Sequence, residues 1–264
     1  NSSVVGGCNN IASGSYSSIV GGSSNQATAL NSSVVGGTLN TASGNCSFIG
    51  GGDKNLIPVL RANSSIVGGT LNTASSDCSF IGGGKNNKVT ATNPSIIGGG
   101  SNNIIEGSGL AFIGGGGSNT ISGYYYNVIV GGLNNKNIGY NSFIGGGQSN
   151  TISGYYYNVI VGGLGNCNRG YNSFIGGGIS NTISGYCSSI VGGLLNTASA
   201  NNTFIGGGTK NIACGINSSV VGGTLNTASG TCSFIGGGCN NKTLSQAFLS
   251  FIGGGSNNSQ YGED

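Results

Sequence analysis

Apolar residues in this chain come in short clusters, each closed by glycine. A triplet such as Ser33-Val34-Val35 or Phe48-Ile49-Gly50 is followed by a Gly pair, two variable residues and an Asn. Two places after the Asn stands a second small apolar residue, as at Ala12, Ala42, Ile121, Ile152 and Ala228. The Asn falls at 10, 25, 40, 55, 72, 87, 103, 119, 135, 150, 166, 181, 196, 211, 226, 241 and 258, so seventeen units follow one another at spacings of 15 to 17. The middle residue of every triplet is Ile or Val, and β-branched residues suit a pleated, half-buried surface. The Gly pair ends the strand because Gly takes positive φ without penalty. Fifteen residues are too few for a strand–helix–strand unit, and no helical period is present. Each unit therefore reads strand, turn, short strand, turn. The expectation is an all-β fold, a β-solenoid of about 17 short coils of 15–17 residues, forming a single repeat domain over 1–264.

The residues flanking the central Ile or Val share one face of the strand. Eight units pair Phe with Gly (48/50, 80/82, 112/114, 143/145, 174/176, 204/206, 234/236 and 251/253), six pair Ser with Val, two pair Val with Val, and one pairs Ile96 with Gly98. Phe never meets Val and Ser never meets Gly, so the two flanking side chains trade size against each other, as close packing of a fixed space requires. The two kinds nearly alternate, so the pattern repeats every two units. A coil that holds one unit and a wider coil that holds two both fit this alternation. At about 4.8 Å per rung they predict rods of roughly 80 and 40 Å. The one-unit coil is preferred, because the first three units repeat one kind in succession. A coil this narrow gains by packing against copies of itself, so a homo-oligomer is expected. Residues 120–150 recur at 151–181 with four differences, 134/165, 136/167, 138/169 and 148/179. Adding two rungs in this way lengthens a rod without disturbing its packing.

Composition removes several alternatives. Of 264 residues 57 are Gly, only 5% are charged, and His, Met and Trp are absent. Disordered Gly/Ser/Asn-rich chains lack recurrent β-branched positions, and collagen needs Gly at every third residue. A net charge of +3, with no Lys/Arg cluster, gives no case for nucleic acid. Glycines interrupt every apolar run, so no membrane insertion is expected of this segment. No starting Met or signal peptide is visible, and the chain reads as a processed product or as the ordered part of something longer. No charge lies in a triplet or a Gly pair. Asp53, Lys54, Lys85 and Lys210 precede the Asn, and Lys88, Lys136 and Lys242 follow it, all at expected turns toward solvent.

The pattern Ser-x-[Ile/Val]-x-Gly-Gly-x-x-Asn-x-Ala-x-Gly, clearest from Ser33 to Gly37 and from Asn40 to Gly44, resembles the head repeats of YadA-like trimeric autotransporter adhesins. It is also similar to the β-roll repeats of phage and large-virus fibres. The resemblance covers the whole chain. It implies a left-handed parallel β-roll, three chains around one axis, and attachment at a cell or virion surface. The period here is longer than that family's, and no neck, stalk or anchor stands in these residues.

Candidate chemistry is sparse. No His is present, the five acids show no paired spacing, and no Gly-Lys-Ser/Thr follows a Gly triplet. The chain is therefore expected not to be an enzyme and to need no cofactor or metal. The recurrent Asn, including Asn40, Asn72, Asn119, Asn150, Asn181 and Asn226, suits a structural ladder of stacked amides, since Asn favours turns. Nine of eleven Tyr cluster between 124 and 186. Tyr124, Tyr125, Tyr126, Tyr155, Tyr156 and Tyr157 form an aromatic band, the best candidate for recognising a host glycan or a surface receptor. Ring stacking between rungs or subunits is the competing structural reading. Cys46, Cys78, Cys187 and Cys232 share one register. In one-unit coils Cys46 and Cys78 lie too far apart for a disulfide, and in two-unit coils they are neighbours; free thiols are the preferred reading. Eight Asn-x-Ser/Thr sequons, at 1, 31, 45, 63, 201, 217, 241 and 257, fit chance in so Asn- and Ser-rich a chain. Thr-x-Ser recurs in seven units (41/43, 73/75, 120/122, 151/153, 182/184, 197/199 and 227/229). Such hydroxyl rows offer ice binding as an alternative, and a self-assembling filament subunit is another. The principal expectation is an extracellular structural and adhesive fibre, a stiff spacer that attaches to a host surface.

Overall fold

In the computed structural model, which describes residues 1–107 and 109–261, the chain is a parallel β-solenoid of seventeen coils, with no helix among the described residues. It divides into two compact units, Asn1–Asn134 and Asn135–Asp264, each built from the same repeat. Every coil contributes two short strands. In one coil these are Ser33–Val34 and Thr41–Ala42, and the next coil begins with Phe48–Ile49. Within each unit the first strands of successive coils pair in parallel, and so do the second strands. Ser33 stands opposite Phe48 and Thr41 opposite Leu56. Every partner lies one sequence unit along the chain, and the offset follows the length of that unit: Phe48 meets Ser65, and Phe80 meets Ile96. The two-unit alternation is therefore decoration on a one-unit coil.

The interior is narrow and lined mostly by apolar side chains. The central Ile or Val of the first strand and the Ala, Val or Ile of the second both point inward. Val34, Ala42, Ile49 and Ile57 are 0% exposed, as are their apolar counterparts in the coils between the chain's first and last. Three second strands place a polar residue inward instead: Asn137, Asn168 and Thr243 are also buried. The first two serve the corner that follows. Asn137 Nδ2 donates to the Ser142 carbonyl at 2.9 Å, and its Oδ1 accepts from Gly139 N–H at 3.2 Å. Asn168 makes the same bonds to Ser173 and Gly170, at 2.9 and 3.1 Å.

Backbone hydrogen bonds run in one direction along the strands. Ser33 N–H donates forward to Ser47 O, Val35 to Ile49, Thr41 to Asn55 and Ser43 to Ile57, at 2.8–2.9 Å. Two corners reverse this. Leu39 (φ 55°) and Cys46 (φ 52°) are left-handed; their N–H groups donate backward, to Ser23 O at 3.0 Å and Leu30 O at 2.8 Å. Left-handed backbone costs an ordinary residue about 1–2 kcal/mol. Ser24, Lys54, Leu71 and Lys210 nevertheless adopt it at the same corner. A glycine just ahead of that corner has no alternative: a Cβ on Gly37 (φ 85°) would lie 2.1 Å from the Gly52 carbonyl oxygen.

The recurrent Asn completes this corner. Asn40 N–H also points backward and donates to Asn25 Oδ1 at 3.0 Å. Asn40 Nδ2 donates at 2.9 Å to Gly36 O in its own coil and to Gly52 O in the next. Asn72, Asn150, Asn181 and Asn226 repeat the arrangement. In each of these coils the side chain links backbone to backbone. Direct amide-to-amide bonds join Asn103 to Asn87, Asn119 to Asn103 and Asn258 to Asn241.

Replacing one of these residues exposes the cost. In Asn181→Ala the Asn196 N–H and the Gly177 carbonyl lose these bonds. Each buried orphan costs about 1–3 kcal/mol, so the variant should lose about 2 kcal/mol or more of stability. Urea unfolding followed by circular dichroism measures this; an unchanged midpoint would show that water replaces the amide.

Candidate functional site

The outer face of the first sheet carries the large-and-small pairs. The expectation of size complementarity holds on the solvent side of the coil rather than in its interior. The ring of Phe174 lies over Gly176: a Cβ there would meet Phe174 Cε1 at 3.3 Å and the Val191 carbonyl oxygen at 2.4 Å. Several Phe rows stand between Ser or Val rows, as where Phe174 pairs with Val159 and Ser189, whereas Phe234 pairs with Phe251 and stacks on it at 5.2 Å. Phe143, Phe174 and Phe204 keep 37–38% of their surface exposed, and Val161, Val191 and Val221 keep 46–50%. None of these outward positions is charged in either unit. The face is an uncharged apolar stripe of Phe and Val.

The outer face of the second sheet is polar and mixed. Its outward positions in Asn135–Asp264 read Lys136, Thr151, Cys167, Thr182, Thr197, Ile212, Thr227 and Lys242. Lys88, Lys136 and Lys242 thus open second strands instead of sitting in turns. Their side chains reach solvent because that strand position points outward. At most two Thr-x-Ser rows, those at 182 and 197, adjoin.

The two Tyr triplets lie at the long corner between second and first strands, and they do so differently. In Asn1–Asn134 the left-handed residue is Tyr125 (φ 62°), whereas in the second copy it is Tyr157 (φ 56°), one position later. Their neighbours account for this. The coils from Asn87 to Asn103 and from Asn103 to Asn119 are as long as the one that holds the first triplet, so that triplet stacks on corners of equal length. The second triplet belongs to the coil from Asn150 to Asn166, which is one residue longer than the next, from Asn166 to Asn181. In both, the Asn that follows ties down the corner: Asn127 Nδ2 donates to Tyr124 O at 2.9 Å, and Asn158 Nδ2 donates to Tyr155 O.

The stacked long corners of Asn1–Asn134 make a groove of about 310 Å³. It is lined by Pro94, Leu110 and Tyr126 of the corners and by Ile96, Phe112 and Val128 of the outer strand face. Tyr124, Tyr125 and Tyr126 are exposed beside it, and Tyr125 and Tyr126 line an adjoining hollow with Asn93 and Pro94. In Asn135–Asp264 the tyrosines stack on one another. Tyr140, Tyr156, Tyr171 and Tyr186 form a column with ring centroids 5.3, 5.5 and 5.6 Å apart. Tyr155 lies 5.5 Å from Tyr140, and Tyr157 lies 6.0 Å from Tyr156. Tyr155 and Tyr157 remain exposed.

All eight cysteines are free thiols. Cys46, Cys78, Cys187 and Cys232 occupy left-handed corners, and Asn63, also left-handed, stands between the first two. Among the described residues no group of three or more His, Cys, Asp or Glu gathers to hold a metal. The single ion pair found among them joins Asp53 and Lys54 at 3.8 Å. Sequence reasoning missed Asn137 and Asn168, whose signal was a polar residue at the inward position of the second strand. It also missed the groove, whose signal was three successive Asn spacings of 16.

No protein-family model matches the chain, and no curated protein matches it.

Cys167 opens a second strand and is half-buried. Burial raises its thiol pKa, and the nearby Arg169 guanidinium offsets part of that rise. Reactivity follows the thiolate fraction and access. Cys167 should therefore alkylate more slowly than exposed Cys46 or Cys187 at neutral pH. Its rate should climb only at a pH above that of an ordinary thiol, and Arg169→Ala should slow it further. Time-resolved iodoacetamide labelling with peptide mass spectrometry reads all three sites; equal rates would contradict the assignment.

Proposed function

We propose that this chain is a structural and adhesive module of an extracellular or virion-surface fibre, mechanical rather than catalytic. It assembles with copies of itself, as three left-handed β-rolls about one axis, and serves as a stiff spacer. The observation that carries this reading is the Phe/Val face. A phenylalanine buries roughly 200 Å², so 38% exposure leaves roughly 75 Å² per row. Five Phe rows in Asn135–Asp264 leave roughly 375 Å² of uncharged apolar surface, which exposed Val161, Val191 and Val221 extend, within the range of a monomer's largest patch. Two such faces together, with their Val rows counted, approach the lower bound of a stable interface, about 1,200 Å². The repeat pattern in the sequence, which resembles trimeric adhesin and fibre repeats, supports the same reading. The interrupted Thr-x-Ser rows weigh against the ice-binding alternative, since an ordered water layer needs a broad uniform plane.

Light scattering should give three times the 25.8 kDa chain mass. Phe174→Glu with Phe204→Glu should reduce it to one chain while circular dichroism stays unchanged, because both side chains already face outward. A monomeric wild type would sink the proposal, and a very large polydisperse mass would favour the filament-subunit reading.

Attachment to a host glycan or receptor is assigned to the Tyr124–Tyr126 corner, because there exposed aromatics border an apolar groove. Sugars stack on such rings while their hydroxyls stay wet. Replacing Tyr124, Tyr125 and Tyr126 with Ser should abolish binding to host cells or a glycan array and leave the assembly mass intact. Undiminished binding would remove this corner from consideration.

A further inference from the structure

The tyrosine column of Asn135–Asp264 has a chemistry that neither a spacer nor a glycan site requires. One ring per coil runs from Tyr140 through Tyr156 and Tyr171 to Tyr186, at 5.3–5.6 Å between centroids and 47–63° between planes. Tyr155 adds a ring 5.5 Å from Tyr140 at 35°. None of these rings is fully buried, and Tyr155 and Tyr186 are exposed. The chain has no Met, Trp or His, so its oxidisable side chains are eleven Tyr and eight Cys. An oxidising equivalent that escapes the thiols therefore has only phenols to settle on.

We propose that this column is an oxidative cross-linking site, where phenols of neighbouring coils join as dityrosine and staple the solenoid along its axis. The oxidant is hydrogen peroxide acting through a haem peroxidase. Each of two neighbouring phenols loses one electron and one proton to become a phenoxyl radical. The two radicals form a carbon–carbon bond between ring positions ortho to the oxygens. The two ortho hydrogens then move to the oxygens and restore both phenols. Across the pair, two electrons and two protons leave, and hydrogen peroxide takes them up to become two molecules of water.

Three features favour coupling within the column. Adjacent rings already touch and are held one coil apart by the backbone ladder, so two radicals need no diffusion to meet. Tilted rings at a solvent-facing corner bring ortho carbons together by side-chain rotation alone. A radical formed on exposed Tyr155 or Tyr186 also has a neighbouring phenol in contact, to which it passes. Tyr16, by contrast, is exposed on an earlier corner of the chain, outside the column.

The test uses the full chain with its thiols capped by iodoacetamide, at high dilution, treated with horseradish peroxidase and hydrogen peroxide. Dityrosine fluorescence should appear without a rise in chain mass on denaturing gels. Peptide mapping should find links of the type Tyr140–Tyr156, Tyr156–Tyr171 or Tyr171–Tyr186, each lighter by two hydrogens. Tyr156→Phe keeps the ring and its packing but cannot couple. It should lose the Tyr140–Tyr156 and Tyr156–Tyr171 links and part of the fluorescence with an unchanged circular dichroism spectrum, whereas Tyr16→Phe should lose none. Absence of dityrosine, links solely between chains, or a Tyr156→Phe signal equal to wild type would each overturn the proposal.

Discussion

At the corner before each recurrent asparagine the backbone turns left-handed, and two consecutive N–H groups swing from the following coil to the preceding one. Leu39 N–H finds Ser23 O, but Asn40 N–H meets a coil whose carbonyl points the other way: Asn25 O takes the forward bond from Ile11 N–H. The side-chain oxygen of Asn25 supplies the missing acceptor. Its amide nitrogen covers Gly21 O and Gly37 O. A buried polar group without a partner costs more than a made bond contributes, so the corner exists only with a residue that offers one acceptor and two donors at this reach. Asp lacks the donors, and Gln carries one methylene too many for the same bonds. The interior supplies two inward residues per coil, an Ile or Val and then an Ala, Val, Ile or satisfied polar residue. That is little apolar burial for fifteen ordered residues, so the coil relies on repeated, fully satisfied hydrogen bonds as much as on its core.

Because the corner is met in every coil by the same bonds, the residue that turns left-handed is relieved of any side-chain duty. Ser, Leu, Lys, Asn and Gly all fill it. The strain of a leucine there is borne by the ladder around it. The same division of labour governs the outer faces. Inside, substitution is confined to Ile, Val, Ala and a few satisfied polar groups. Outside the first sheet, the Phe ring needs a glycine beneath it, and a Ser row leaves room for the Val beside it. Successive rows can then change places in size without altering the coil. The faces of the solenoid are therefore free to specialise, one apolar and uncharged, one mixed and polar, while the coil geometry stays fixed.

Much of this was legible in the sequence, and the reason is periodicity. Seventeen Asn in register identify one structural position, and invariant Ile or Val at the centre of each triplet identifies the core. Coil length was open until strand pairing set it, because alternation along the chain and alternation around a wider coil give the same string of letters. The inward Asn137 and Asn168 were hidden for another reason. A polar residue at an apolar position reads as an exception, and its justification lies in a corner a few residues away, visible only once the corner is built. The sequons have a structural explanation too. Left-handed corners favour Asn, as at Asn31, Asn63 and Asn217, and the column beside them is a buried Ser, at Ser32, Ser64 and Ser218. The Asn-x-Ser spelling follows from these two needs together with an outward Ser. The sequon at Asn241 falls on a buried ladder residue.

The duplicated segment carries the most general point. Residues 123–127 and 154–158 are the same five letters, Gly-Tyr-Tyr-Tyr-Asn, yet the left-handed turn moves by one residue between them. No local property of the pentapeptide can decide this, since the local sequence is identical. The deciding quantity is the length of the corner on which it stacks. A long corner on long corners extends a regular outer strand, Asn127–Ile129, and raises a wall beside a groove. A long corner above shorter ones has an extra residue with no counterpart, and Tyr156 joins the column of Tyr140, Tyr171 and Tyr186. In a solenoid each coil contacts mainly its neighbours, so local structure depends on sequence one coil away. A repeat unit copied intact therefore keeps its core and its ladder but acquires a new surface. Duplication can thereby generate a different site from the same residues, without a single change in the residues that form it.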